Sequence, residues 1–349
     1  HAPPPAAPPP PPKNPAVPAA VRVGTDHWPT NHGVSTGLRG LEAGDIREMD
    51  WMSVNGWAAR GGAELGTSRH IPRGDQFRQI AEQIEAHQID GILMIGGWAG
   101  YRVANTLRMH SEEFSQLGIP IVCLPAAINN DLPGTELSIG ADTALNSIIS
   151  NVDKLKQSAV ASRRCFVVEV MGGDCGYLAL ISGLSTGAER VYLPEEGLSL
   201  TDLQDDVDNL VEGFEHGKRL GLMIRNEHAD PLYSTDFMCA LFEKEGGELF
   251  DVRKAILGHI QQGGNPSPFD RIQATRLAAK CIEFVGETVA KTPPAAVAIG
   301  LQGGRVEFTN LEDLPRLMDK QFQRPKEQWW LELRPIARIM AQPGPQPRG

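Results

Sequence analysis

Continuous apolar runs punctuate the chain at 91–97 (GILMIGG), 119–125 (IPIVCLP), 165–170 (CFVVEV), 221–227 (GLMIRNE) and 295–300 (AAVAIG). A strand covered on both faces reads this way, because neither side has to meet water. Between these runs apolar residues return at helical spacing. Ala141, Leu145, Ile148, Ile149, Val152 and Leu155 form one such stripe, and Leu203, Val207, Leu210, Val211 and Phe214 form another. Ser199 or Thr201 supplies an N-cap for the second. Strands alternating with helices predict a doubly wound α/β fold with mostly parallel sheets and ligands at the carboxyl ends of the strands. The length of 349 residues fits two such three-layer lobes with a cleft between them.

The opening segment breaks the pattern. HAPPPAAPPPPPKNPAVP is too rich in proline for a helix or a central strand, since proline locks φ and has no N–H. Residues 1–18 are expected to be a disordered or polyproline II tail. This start is unlike a signal peptide, which is basic and then apolar, and no apolar run approaches the ~20 residues of a membrane span. The net charge of −10 and the lack of a Lys/Arg run disfavour nucleic acid and anionic membranes as partners. The five cysteines, Cys123, Cys165, Cys175, Cys239 and Cys281, are widely spaced and form no CxxC or Cys/His cluster. Reduced, buried thiols in a cytoplasmic protein are expected.

Three loops that follow predicted strands are built for ligands: IGGWAGY (95–101), AAINNDLPG (126–134) and MGGDCGY (171–177). Paired glycines after a strand let backbone N–H groups approach a phosphate, and a following helix adds its dipole. Arg69 in GTSRH, Arg164 ahead of a strand and Arg253 in FDVRK offer guanidinium forks suited to phosphate oxygens. His259 lies in GHIQQGGNPSPFDR, a polar glycine-rich stretch between apolar segments.

The stretches PAAINNDLPGTELSIGADTALN, VVEVMGGDCGYLAL, LGHIQQGGNPSPFDR and RPKEQWWLELRPIARIMAQ, in that order, resemble 6-phosphofructokinase from about residue 14 to 342. The likeness is greatest to the carboxyl-terminal half of the duplicated eukaryotic enzyme. The resemblance implies that such a half is regulatory and binds fructose 2,6-bisphosphate, whereas the amino-terminal half catalyses ATP-dependent phosphorylation of fructose 6-phosphate in glycolysis. The PKEQWW…LRPI tail and the glycine in MGG, where catalytic halves carry Arg, point the same way.

Catalytic halves read TIDND where this chain reads AINND, so Asn129 stands where the base that deprotonates the sugar hydroxyl is needed. Ala127 replaces the threonine, and Asp131 keeps a carboxylate only at the last position. Catalytic halves read GGDGS where this chain has GGWAG; the magnesium-holding Asp becomes Trp98, which offers no ligand oxygen. The phosphate-cradling GGxxxGMN becomes PPPPPKN, with Asn14 in register. The first strand is therefore expected to be missing, or the segment is an aberrant or incomplete end of a longer chain.

By the resemblance, Arg69 contacts one phosphate, and Asn129, Asn130 and the neighbouring backbone bond the sugar hydroxyls. Met171, Gly172 and Gly173 line the sugar, Glu227 accepts from a hydroxyl, and His259 and Gln262 reach the second phosphate. Arg164 and Arg253 correspond to residues given by a neighbouring subunit. Gln323 holds the position of a further ligand arginine, with Arg324 beside it, and Ala127 weakens binding. The resemblance thus implies a homo- or hetero-oligomer partnered with a catalytic half or subunit. No cofactor is expected in this chain, although the family uses magnesium and ATP in its catalytic half. The alternatives are an active ATP-dependent enzyme and an assembly-only pseudoenzyme. The expected domains are residues 19–140 with about 255–305 as a larger lobe, and 141–254 with about 306–342 as a smaller one.

Overall fold

The computed structural model describes residues 13–341 apart from 160, 161 and 292. The chain divides into two compact units. One holds the chain to Ile128, Leu132–Thr143 and Gln262–Asp319; the other holds Asn129–Asp131, Ala144–Gln261 and the chain from Lys320.

In the first unit a short antiparallel pair, β1 (His32–Val34) and β2 (Ile46–Glu48), precedes the main sheet. That sheet contains β3 (Ile92–Gly96) and β4 (Ile121–Pro125), and its remaining strands lie far downstream in sequence. The helices of this region are α1 (Ala16–His27), α2 (Leu38–Ala43), α3 (Gln76–Ala86) and α4 (Trp98–Met109). In the second unit β5 (Arg164–Val170), β6 (Arg190–Tyr192), β7 (Leu220–Asn226) and β8 (Asp251–Ile256) form an all-parallel sheet in the order β6-β7-β5-β8. Its helices are α5 (Ala141–Ala159), whose first turn belongs to the first unit, α6 (Tyr177–Thr186), α7 (Leu200–Glu215) and α8 (Thr235–Gly246). The chain then returns to the first unit with α9 (Pro268–Thr288), β9 (Ala296–Gln302), β10 (Arg305–Asn310) and α10 (Leu314–Leu317), and closes in the second with α11 (Arg334–Ala341). The first sheet has the order β10-β9-β4-β3, parallel except for the β10–β9 edge.

The apolar runs work as expected. In β4, Ile121 and Cys123 turn to a cluster with Leu38, Phe77, Ile80 and Leu107, whereas Val122 and Leu124 turn to one with Ala16, Ala274, Leu277 and Cys281. The period-two alternation of a strand thus buries both faces beneath helices on either side. In the second sheet Cys165 and Val167 share a cluster with Leu203, Phe214 and Phe242. Their neighbours Phe166, Val168 and Val170 are also buried, and α6 packs on β7. Ser199 rather than Thr201 caps α7: its hydroxyl accepts from Asp202 N at 3.2 Å and Asp202 Oδ2 accepts from Ser199 N at 2.9 Å. No helix among the described residues is long and apolar enough to cross a membrane. The five cysteines are free thiols, and all but Cys239 are buried.

Three expectations need correction. Residues 13–18 are not a tail: α1 starts at Ala16 behind Pro15, and Pro18 sits in its first turn, where a missing N–H costs nothing. Asn14 is buried, donating to Gly61 O (3.0 Å) and accepting from Glu64 N (2.7 Å). Residues 1–12 of the expected tail lie outside the described residues. Residues 306–319 belong to the first unit, because β10 pairs with β9 along its whole length. Residues 129–131 and 255–261 belong to the second, since β8 pairs with β5 and the segment after it follows. Among the described residues no strand precedes α1.

Candidate functional site

The strands of the second sheet all run the same way, so the segments after β5, β7 and β8 gather at one end of it. There the Met171–Gly176 loop leads from β5 into α6. Its shape is imposed by its neighbours. A Cβ on Gly172 would lie 2.3 Å from Asn226 Nδ2 and 2.5 Å from Cys175 O, so only glycine fits. Gly173 adopts φ +56°, a backbone state that favours glycine. The amide of Asn129 stands beside it, with Nδ2 3.4 Å from where a Gly173 Cβ would sit. Asn130 also takes a positive φ, +55°, and is buried.

Glu227 follows β7 and grips this loop. Its Oε1 accepts from Gly172 N at 3.0 Å and Gly173 N at 2.9 Å. The glycine N–H groups expected to cradle a phosphate are therefore already bonded, and Glu227 has only its second oxygen left for a sugar hydroxyl. Met171 N donates to Gln261 Oε1 at 3.2 Å. Gln261 is buried, while its neighbour His259 lies exposed in the same 3₁₀ turn, Gly258–Gln262.

Behind Glu227 is Arg225, almost fully buried. It donates to Glu169 Oε2 (3.1 Å) and to the carbonyls of Asn226, Glu227, Asp230 and Tyr233 at 2.6–3.3 Å. It ties the turn that carries Glu227 to β5. Asp174, in the glycine loop, pairs with His228 at 3.0 Å and accepts from Gln323 N at 3.2 Å. The hydrogen bond from His228 and the amide of Gln323 hold the Asp174 carboxyl below its ordinary range, against the opposing pull of partial burial.

Arg324 stands beside the position where the resemblance puts a ligand arginine. It is buried, donates to Asp174 O at 2.9 Å, pairs with Glu195 Oε1 at 3.5 Å and stacks on Phe322. It holds the loop in place. Sequence reasoning missed the whole supporting set, Arg225, Asn226, Gln261, Asp174 and Glu195; the only outward sign was charge inside the apolar runs EVMGG and GLMIRNE.

Arg164 and Arg253 sit elsewhere. Arg164 opens β5 opposite Asp251, Arg253 lies opposite Phe166, and both guanidiniums lean on Asp251 at 3.9 and 3.3 Å. From Arg164 to Val170 the strand rises about 20 Å. Arg164 therefore stands at the opposite end of β5 from Met171–Gly173, and Arg253, opposite Phe166, lies about 13 Å short of Val170 along the strand.

In the first unit, β3 ends at Gly96, Gly97 is the N-cap, and α4 begins at Trp98. The Trp98 indole packs against the cluster of Leu38, Phe77 and Leu107, and its buried Nε1 makes no hydrogen bond. Ala127 lies beside Gly97, 3.5 Å from its would-be Cβ. Lys13 Nζ stands 3.6 Å from the corresponding point on Gly96, and burial pulls its ammonium down to about 8. Arg69 is exposed in the loop after Gly66, and Gln262 is half-buried at the start of this unit's third segment.

A family model described as phosphofructokinase matches residues 8–285. ATP-dependent 6-phosphofructokinase of Dictyostelium discoideum is 45% identical over 323 residues, covering 92% of this chain and 39% of that protein. The muscle-type enzyme of Homo sapiens is 40% identical over 339 residues, covering 94% and 43% respectively. The solved structure of phosphofructokinase from Saccharomyces cerevisiae superposes with a TM-score of 0.88 at 35% identity, over 95% of this chain and 46% of that one. The chain thus spans about two fifths of the length of the relatives it matches.

Proposed function

Because the chain belongs to the phosphofructokinase family, we propose that it is a regulatory, non-catalytic half of a 6-phosphofructokinase that binds fructose 2,6-bisphosphate as an allosteric activator. The observation that carries this reading is the amide of Asn129 beside Gly173. A carboxylate there could take the proton of an attacking hydroxyl; an amide can only hydrogen-bond it.

The family's magnesium and ATP do not fit the residues present. Trp98 brings an indole, turned onto the core, to the place of a metal ligand.

The sugar-binding half of the reading rests on Asn129, Asn130, Met171, Gly172, Gly173 and the free oxygen of Glu227, with exposed His259 available to a phosphate. Arg69, Ala127 and Gln262 enter on the resemblance alone. Arg164, at the start of β5, and Arg253, midway along β8, lie away from their own chain's glycine loop and suit a ligand held by a neighbouring subunit. A ligand clamped by two chains favours the quaternary state that joins them. Such coupling is typically about 1–3 kcal/mol.

Asn129→Asp tests the non-catalytic part. The restored carboxylate is expected to yield no ADP from ATP and fructose 6-phosphate, because Trp98 still supplies no magnesium ligand. Measurable turnover in a coupled assay would overturn that part of the reading.

A further inference from the structure

A cavity of about 470 Å³ opens in the second unit beside β6, the edge strand, under α6, α7 and α11. It is remote in the sheet from the glycine loop, which follows the central strand β5, and its volume lies in the range of small-molecule sites. Leu180, Val191 and Met223 give it an apolar lining. Arg190, Lys218, Arg334 and Arg338 supply cations, against the three carboxylates of Glu189, Glu196 and Asp206.

The charges are unequally matched. Lys218 Nζ is 2.7 Å from Glu189. Arg334 and Arg338 share one oxygen of Glu196, at 3.4 and 3.0 Å, so one negative charge answers two guanidiniums. Arg190 is the exception. Its Nε lies 3.4 Å from Asp206 Oδ2 but makes no hydrogen bond although it is buried. Its terminal amino groups make no hydrogen bond to another described residue and stand on the exposed part of the side chain. Asp206 is engaged by the Tyr192 hydroxyl at 2.9 Å, and the Tyr192 ring lies 5.8 Å from the Arg190 guanidinium. The buried Nε is the unmatched donor, and a bound anion would supply its acceptor. A carboxylate or phosphate does so in the fork geometry that Arg prefers.

We propose that this cavity binds a small organic anion, with its apolar body on Leu180, Val191 and Met223 and its carboxylate or phosphate on the fork of Arg190. Helix α11 forms the mouth through Ala337, Arg334 and Arg338.

The probe is phenyl phosphate, with benzoate alongside to compare head groups and benzyl alcohol as the neutral counterpart, added to the full chain and followed by calorimetry and ligand-observed NMR. Saturable binding by phenyl phosphate or benzoate, and not by benzyl alcohol, is expected. Arg190→Gln should weaken it about tenfold, the loss of a charge-assisted hydrogen bond. Ala337→Trp, on the less buried mouth, should block it while leaving the fold intact. Fructose 2,6-bisphosphate should not displace the probe. No saturable binding, equal binding of benzyl alcohol, unchanged affinity in a folded Arg190→Gln chain, or displacement by fructose 2,6-bisphosphate would each overturn the assignment.

Discussion

Replacing Arg225 by Ala should lower the unfolding free energy by about 3–5 kcal/mol. The guanidinium is nearly inaccessible and donates to Glu169 and to four backbone carbonyls. Glu169 Oε2 receives Thr235 Oγ1 as well. Without Arg225 the Glu169 carboxylate keeps the cost of its burial and loses its counter-charge. The turn from Glu227 to Ser234 loses its anchor, and Glu227 loses its fixed hold on Gly172 and Gly173. Urea titration of the midpoint measures the effect. The double variant Arg225→Met with Glu169→Leu should recover much of the loss, because replacing both partners by apolar groups of similar size leaves no stranded charge. A loss below about 1 kcal/mol would instead mark the pair as one of the weak, solvent-screened kind.

Asp270→Ala should cost about 3–4 kcal/mol. Asp270 is buried in the first turn of α9, where Ser267 Oγ receives its N–H at 3.1 Å. Its carboxylate accepts from Gly140 N (2.9 Å), Thr143 N (2.8 Å) and Thr143 Oγ1 (2.5 Å). One side chain therefore caps α5 from another element, close behind the 126–134 loop. Burial pushes its carboxyl above the usual carboxylate range even though these donors favour the charge. The alanine variant strands two amides and a hydroxyl at a helix N-terminus that keeps its positive dipole. Asp270→Asn keeps one acceptor and should fall between alanine and the parent. Thermal and urea unfolding of the three proteins give the order; an asparagine as damaging as the alanine would contradict the capping account.

Most of the sheet core was legible because a run such as IVCLP can be stable only with both faces covered. The strand β8 was not. DVRKAI is half charged, with only Val252 fully buried, because it lies at a sheet edge with one side open. β10 escaped for the same reason, and with it the assignment of residues 306–319. Helix α1 was hidden by proline: Pro15 and Pro18 look like breakers, yet both fall before or within a first turn.

At the candidate site, residue types were legible and their engagements were not. Gly172 and Gly173 read as a phosphate cradle, and only the structure reveals Glu227 already holding their N–H groups. Arg324, next to the position of a ligand arginine in the resemblance, bonds Asp174 and pairs with Glu195. Such partners are 50 to 150 positions apart in the chain, which local pattern does not connect. The placement of Arg164 and Arg253 away from the glycine loop follows from strand register alone.

Ligand binding without chemistry, completed by a second chain, is the behaviour expected of this protein. Isothermal titration calorimetry of the purified chain with fructose 2,6-bisphosphate, its mass followed by light scattering, tests this, beside the same titration of Arg253→Ala and a coupled assay for ADP. The account predicts saturable binding with no ADP formed, weakened about 10–100-fold when the Arg253 charge is removed. A folded oligomer that gives no heat, or one whose affinity is indifferent to Arg253, would contradict it.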